Sequence, residues 1–377
     1  MPGGNGQPQG TQVVTGLQIK GGAAIVAPAA SFPHGLPQNA LVLIPIAKPT
    51  EELTELLKKG PAAVTPDQMW KLLGFNGPAV QVHDEQGRPV AIGLEDLLDG
   101  LEKHWKDKPD DLNRGRVLAQ ELLKHARLPR AEQVLSKLVA KGGSGEDWLA
   151  LGIAQLQQDK LDKAEGTLRG AVNLLKDSPY PFLHLARLYG KKGEREAEQE
   201  HVDKAIEKDG GCIDAWAYLF QSVRDREGEE QAVSAIEKRA EGQKNAAPFI
   251  AMQGFYANDE KTREKAIEYA KRAVAANSDD PLGLLCLSAL YGQKGDLKSV
   301  VELLSQHESK MTRNVHLANN YFEALFQLRD IEKVTRLLNA LAGSANKEVK
   351  QFAIQRSQLV SQYLQQQQQR LQAAAKA

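Results

Sequence analysis

Residues 145–193 read GEDWLALGIAQLQQDKLDKAEGTLRGAVNLLKDSPYPFLHLARLYGKKG, and the spacing within this stretch decides the fold. Trp148 and Phe182 stand 34 residues apart, and the same step carries on to Trp216, Ile250 and Leu284. Three residues after these anchors come Leu151, Leu185, Leu219, Gln253 and Leu287. Four after them come Gly152, Ala186, Phe220, Gly254 and Ser288. Small or apolar residues return in phase at Ala164, Ala232, Ala266 and Val300, and again at Ala171, Ala205 and Ala273. A fixed period of this length marks one supersecondary unit stacked repeatedly, because a single unit cannot bury its own apolar face. Apolar positions three or four apart make each unit a pair of amphipathic helices. Polar turns separate the two helices at Gln158-Asp159-Lys160, Lys191-Lys192-Gly193, Arg226-Glu227-Gly228 and Gln293-Lys294-Gly295. First helices are expected to begin near 145, 179, 213, 247 and 281.

Trp148-x-x-Leu151-Gly152, then Ala164, Ala171 and Pro179, resembles the tetratricopeptide repeat (TPR). The next unit, Phe182, Leu185, Ala186, Tyr189 and Gly193, is similar, as is Pro281, Leu284, Leu287, Tyr291 and Gly295. Five units over 145–314 match well. A sixth follows with Tyr321, Phe322, Phe326, Val334 and Leu338, and a degenerate one precedes at 112–142. Glu198, Arg239 and His307 stand where the pattern has a small residue, which predicts looser interfaces or a slipped register there. The expected fold is mostly α: a TPR-type helical-hairpin solenoid over 111–348, with a small α/β module before it and a capping helix after it.

Outside the repeats the composition changes. Residues 1–10 are rich in Gly, Gln and Pro and read as disordered. Residues 11–49 form an apolar, Gly- and Pro-interrupted arm with short β-like runs such as Leu41-Val42-Leu43-Ile44. There is no acidic residue before Glu51. Residues 50–110 read as the α/β module. A helix starts at Thr50 and another at the capping box Thr65-Pro66-Asp67-Gln68. A hairpin then joins Ala79–Val82 to Pro89–Ile92, and an amphipathic helix runs from Leu94 to Trp105. Residues 349–377 carry a Gln-rich helix whose stripe Val349, Phe352, Leu359, Tyr363 and Leu371 continues the helical period.

The 377 residues carry 48 Lys plus Arg against 48 Asp plus Glu, so no global attraction to nucleic acid or anionic membrane is expected. Cys212 and Cys286 form no C-x-x-C pair, which leaves zinc and redox motifs unsupported. P-loop, H-E-x-x-H and G-x-S-x-G motifs are absent from the sequence, and His83-Asp84-Glu85 is a hairpin turn rather than a ligand set. No cofactor and no metal is expected, and catalysis is not. Without an apolar span of about 18 residues or a basic and apolar leader, the expectation is a cytoplasmic protein.

The resemblance implies a groove lined by first-helix side chains that receives a partner protein. Arg187, Gln221, Arg224, Phe255, Asn258 and Asn319 are the candidate contacts. Phe255 is the apolar anchor, and Arg187 and Arg224 are cations able to receive a carboxylate. The chaperone-binding branch of the family uses a lysine and asparagine set; Leu149, Ile153, Leu183 and Arg187 stand in those places, so that ligand is not expected here. Two readings follow: a non-enzymatic scaffold for a protein partner, or a self-assembling structural protein whose arm packs against further copies of the chain.

Overall fold

The computed structural model describes residues 79–83, 89–241 and 244–374. The disordered start, the arm at 11–49 and the two helices expected within 50–78 lie outside the described residues. Compact packing divides the chain into two units, one up to Lys176 and one from Asp177 onward.

In the first unit, β1 (Ala79–His83) pairs antiparallel with β2 (Pro89–Gly93), with Val80 opposite Ile92 and Val82 opposite Val90. The α/β module expected over 50–110 is not seen as such: its described part is this hairpin and one helix. That helix, α1 (Leu94–Lys106), is followed by α2 (Leu112–Lys124) and α3 (Leu128–Ala140). Leu98, Leu101 and Trp105 of α1 share one core with Leu118, Leu122, Leu135 and Leu138. The helix is therefore buried with the repeats. Arg130 of α3 ties it down by ion pairs to Glu95 (3.0 Å), Asp99 (2.7 Å) and Glu102 (2.7 Å), three carboxylates spaced along one side of α1.

The pair α4 (Gly145–Gln157) and α5 (Leu161–Leu174) completes this unit. Ser144 and Asp147 form a capping box at the start of α4, and Arg116 of α2 grips the buried Asp147 carboxylate at 2.8 Å. Gly152 makes the pair possible, since a Cβ there would lie 2.6 Å from Leu168 Cδ2. Ala164 and Ala171 are fully buried, as small residues at a helix crossing must be.

The second unit continues with α6 (Tyr180–Lys192), α7 (Arg195–Lys208), α8 (Ile213–Glu227), α9 (Glu229–Ala240), α10 (Ala247–Tyr256), α11 (Arg263–Ala276), α12 (Pro281–Lys294) and α13 (Leu297–Ser305). The single turn α14 (Glu308–Met311), then α15 (Val315–Gln327), α16 (Ile331–Ala342) and α17 (Lys347–Ala374) follow. First helices begin at 145, 180, 213, 247, 281 and 315, close to the predicted spacing. Second helices begin at 161, 195, 229, 263, 297 and 331, each 34 residues after the last. Trp216 is fully buried in the central core with Phe220, Ile236, Met252 and Ala270, and its indole N–H donates to the Gly210 carbonyl at 2.8 Å. Trp148 and Phe182, its counterparts, are only half-buried.

Two of the three irregular positions, Glu198 and Arg239, are held by ion pairs where looser packing or a slipped register was expected, and the third breaks its helix. Glu198 is buried and receives the Tyr218 hydroxyl at 2.7 Å together with the Arg226 guanidinium, so a charged network fills the place of a small residue. Arg239 reaches back to Asp203 of the preceding second helix at 2.9 Å. His307 marks a break: α13 ends at Ser305 and the chain restarts as the single turn α14. On α17 the inward side is Val349, Ala353 and Val360 with the half-buried Phe352 and Tyr363; Leu359 and Leu371, expected on that side, are exposed. No described helix is long and apolar enough to cross a membrane.

Candidate functional site

Residues 34 apart on successive first helices share a register, so Arg187, Gln221, Phe255, Ala289 and Glu323 form one row in the second unit. Arg187 lies over the Tyr218 ring at 5.8 Å. The Tyr218 hydroxyl is engaged with Glu198, and burial followed by that carboxylate pushes its pKa above the ordinary range. One turn before Arg187, His184 is buried, and desolvation followed by the Arg187 charge lowers its pKa to about 4. A neutral imidazole thus sits beside the cation at neutral pH.

Three of the six candidates come together. Phe255 packs on Phe220 with ring centroids 4.7 Å apart. The Arg224 guanidinium covers both rings, 5.1 Å from Phe255 and 5.9 Å from Phe220. It also donates to the Gln221 side-chain carbonyl at 3.0 Å, and Asp225 lies 3.5 Å away. Phe255 is half-buried, so the bare apolar anchor expected from sequence is an aromatic pair roofed by a cation. The other three candidates stand apart from this cluster. Arg187 belongs to the Tyr218 group; the structure pairs each arginine with its own aromatic surface. Asn258 is exposed just past the end of α10. Asn319 accepts from Arg356 of α17 at 3.0 Å, and Arg356 also pairs with Glu323 at 3.0 Å and covers Phe322 at 5.1 Å.

Two repeats beyond the Phe220–Gln221–Arg224 group, the same register holds Ser288, Ala289 and Gly292. Loss of side-chain bulk there opens a depression of about 530 Å³, walled on the α15 side by Asn320, Glu323 and Gln327. Asn320 donates to the Ser288 hydroxyl at 2.9 Å, which fixes its amide at the rim. This depression was not anticipated; its signal was Ser288, Ala289 and Gly292 standing together where the repeat two units earlier has Phe220, Gln221 and Arg224. Among the described residues no group of three or more His, Cys, Asp and Glu side chains is arranged to hold a metal. Asp84 and Glu85 lie outside the described residues.

The helix spacing settles the repeat type. These are tetratricopeptide-type repeats. No family model matches the sequence, and no curated protein matches it. Among solved structures, MamA is similar at 19% identity over 46% of this chain and 91% of its own, with a TM-score of 0.35. Yeast Tom70 is similar at 15% identity over 72% of this chain and 59% of its own, with a TM-score of 0.38. YrrB, described as a TPR protein with an unusual peptide-binding site, is similar at 18% identity over 50% of this chain and 97% of its own, with a TM-score of 0.31. At TM-scores this low the likenesses carry no conclusion about partner or site.

Proposed function

We propose that this TPR protein is a non-enzymatic scaffold whose first-helix face, from Arg187 to Gln327, docks a protein partner. One observation supports it above the rest: in a single register an aromatic–arginine cluster gives way to an open, amide-rimmed depression. The Phe220–Phe255 pair offers a rigid apolar contact, and Arg224 is already desolvated on one side by the rings beneath it, so it is suited to meet an acceptor on the partner. The amides of Asn320 and Gln327 both donate and accept, as recognition of a peptide backbone requires.

The test compares wild type with Arg224→Glu and with Ala289→Arg/Gly292→Arg, which reverse the cluster's charge and fill the depression. Both changes fall on half-buried or exposed positions, so helical content by circular dichroism is expected to stay the same. Proteins captured from the native lysate by wild type should be lost from both variants. Identical capture by all three would place the docking surface elsewhere.

A further inference from the structure

The depression between α12 and α15 has an apolar floor and a rim of oxygen acceptors. Val300 and Ala324, both buried, and the half-buried Leu297 supply the apolar lining. Among the described residues that line it, Glu323 alone carries a charge. Asn320, Glu323 and Gln327 follow one another at steps of three and four, so all three sit on one face of α15.

Hydrogen bonding orients this rim. The Ser288 hydroxyl donates to the Leu285 carbonyl at 3.1 Å, so its one proton is committed. Asn320 therefore brings its NH2 group to Ser288, at 2.9 Å, and its Oδ1 is left as an acceptor. Glu323 is held from α17. Arg356 pairs with it at 3.0 Å while donating to Asn319 at 3.0 Å and lying over Phe322 and Phe352, at 5.1 and 5.4 Å. Asn319 and the two rings keep that guanidinium out of the depression, which Arg356 does not line. A carboxylate offers about four acceptor sites, so one ion pair orients Glu323 without exhausting it. Lys294, at the end of α12, is drawn to Glu264 at 2.6 Å and does not occupy the space.

A carboxylate beside amide oxygens suits an ammonium, which has three N–H donors and nothing to accept with. An anion there would face Glu323. The apolar floor suits a methylene stem, and lysine joins a stem of that kind to an ammonium. We infer, building on the docking face proposed above, that the depression receives a lysine side chain of the partner protein. Its stem lies on Val300 and Ala324 and its ammonium meets Glu323 and Asn320. The row from Arg187 to Glu323 runs from cation to carboxylate, so a partner with its lysine at the Glu323 end docks in one direction.

NMR of the full chain with methyl-labelled alanine tests this. Nα-acetyl-lysine N-methylamide should shift the Ala289 and Ala324 methyl signals saturably, with a dissociation constant of about 1 mM, as befits so small a ligand. The norleucine analogue keeps the stem and lacks the charge; it should bind at least about tenfold more weakly. Glu323→Gln should weaken lysine binding by a similar factor of about ten. The inference is overturned if the lysine compound gives no saturable shift at these methyls. It is overturned equally if norleucine binds wild type as tightly as lysine does, or if Glu323→Gln binds lysine at full strength. Absent lysine binding together with lost lysate capture by Ala289→Arg/Gly292→Arg would sink this inference and leave the docking face standing. Lysine binding with identical capture by wild type and both docking-face variants would remove the docking face, and the partner's lysine with it.

Discussion

Asp159, Gly193, Gly295 and Arg329 sit in one register of the inter-helix turn, and all have left-handed backbones, with φ of 57°, 76°, 78° and 59°. The geometry demands the conformation; the residue only decides what it costs. An L side chain in this region is destabilised by about 1–2 kcal/mol, while glycine is not. Gly193→Val should therefore lower stability by about 1–2 kcal/mol in urea unfolding, although a Cβ there meets no atom within 4 Å. Arg329→Gly should raise stability by up to about 1 kcal/mol, the strain relieved less the added chain entropy of glycine. An unchanged midpoint for both would mean that the turn does not hold this backbone in solution.

At the scale of the helix, the burial of His184 on α6 has a consequence for pH. Its folded pKa, about 4, lies below the ordinary 6.5, so the folded state favours the neutral ring. The contribution is complete above pH 6.5 and is lost as pH falls from 6.5 toward 4, at about 1.4 kcal/mol per pH unit as an upper bound. The melting temperature should drop across that window in wild type, and His184→Gln should drop less. Parallel curves would show that His184 does not titrate on unfolding. Sequence made the helices legible because turn residues and anchors recur at fixed steps. From Leu161 to Ile331 the second helices start at steps of 34 residues. Chemistry supplied by a distant residue was less legible. Glu198 breaks the pattern on paper, yet Tyr218 and Arg226, 20 and 28 residues away in sequence, make it a buried junction. Phe255 reads as a free anchor until Phe220 and Arg224 are seen to cover it. Leu359 fits the helical stripe by spacing, but α17 is rotated to bury Val360.

At the largest scale, stability within the second unit comes from neighbours, as Trp216 rests on residues of α9, α10 and α11. The candidate site was legible only as a row of first-helix positions; which members cluster depended on side-chain contacts between repeats. Hydrogen–deuterium exchange of the full chain, read by mass spectrometry, tests the account most directly. Protection should rise and fall with the repeat across residues 112–342, high through the helices and low at the turns near 159, 193, 228, 259, 295 and 329. Protection running unbroken through those turns, or lacking the 34-residue rhythm, would contradict the account.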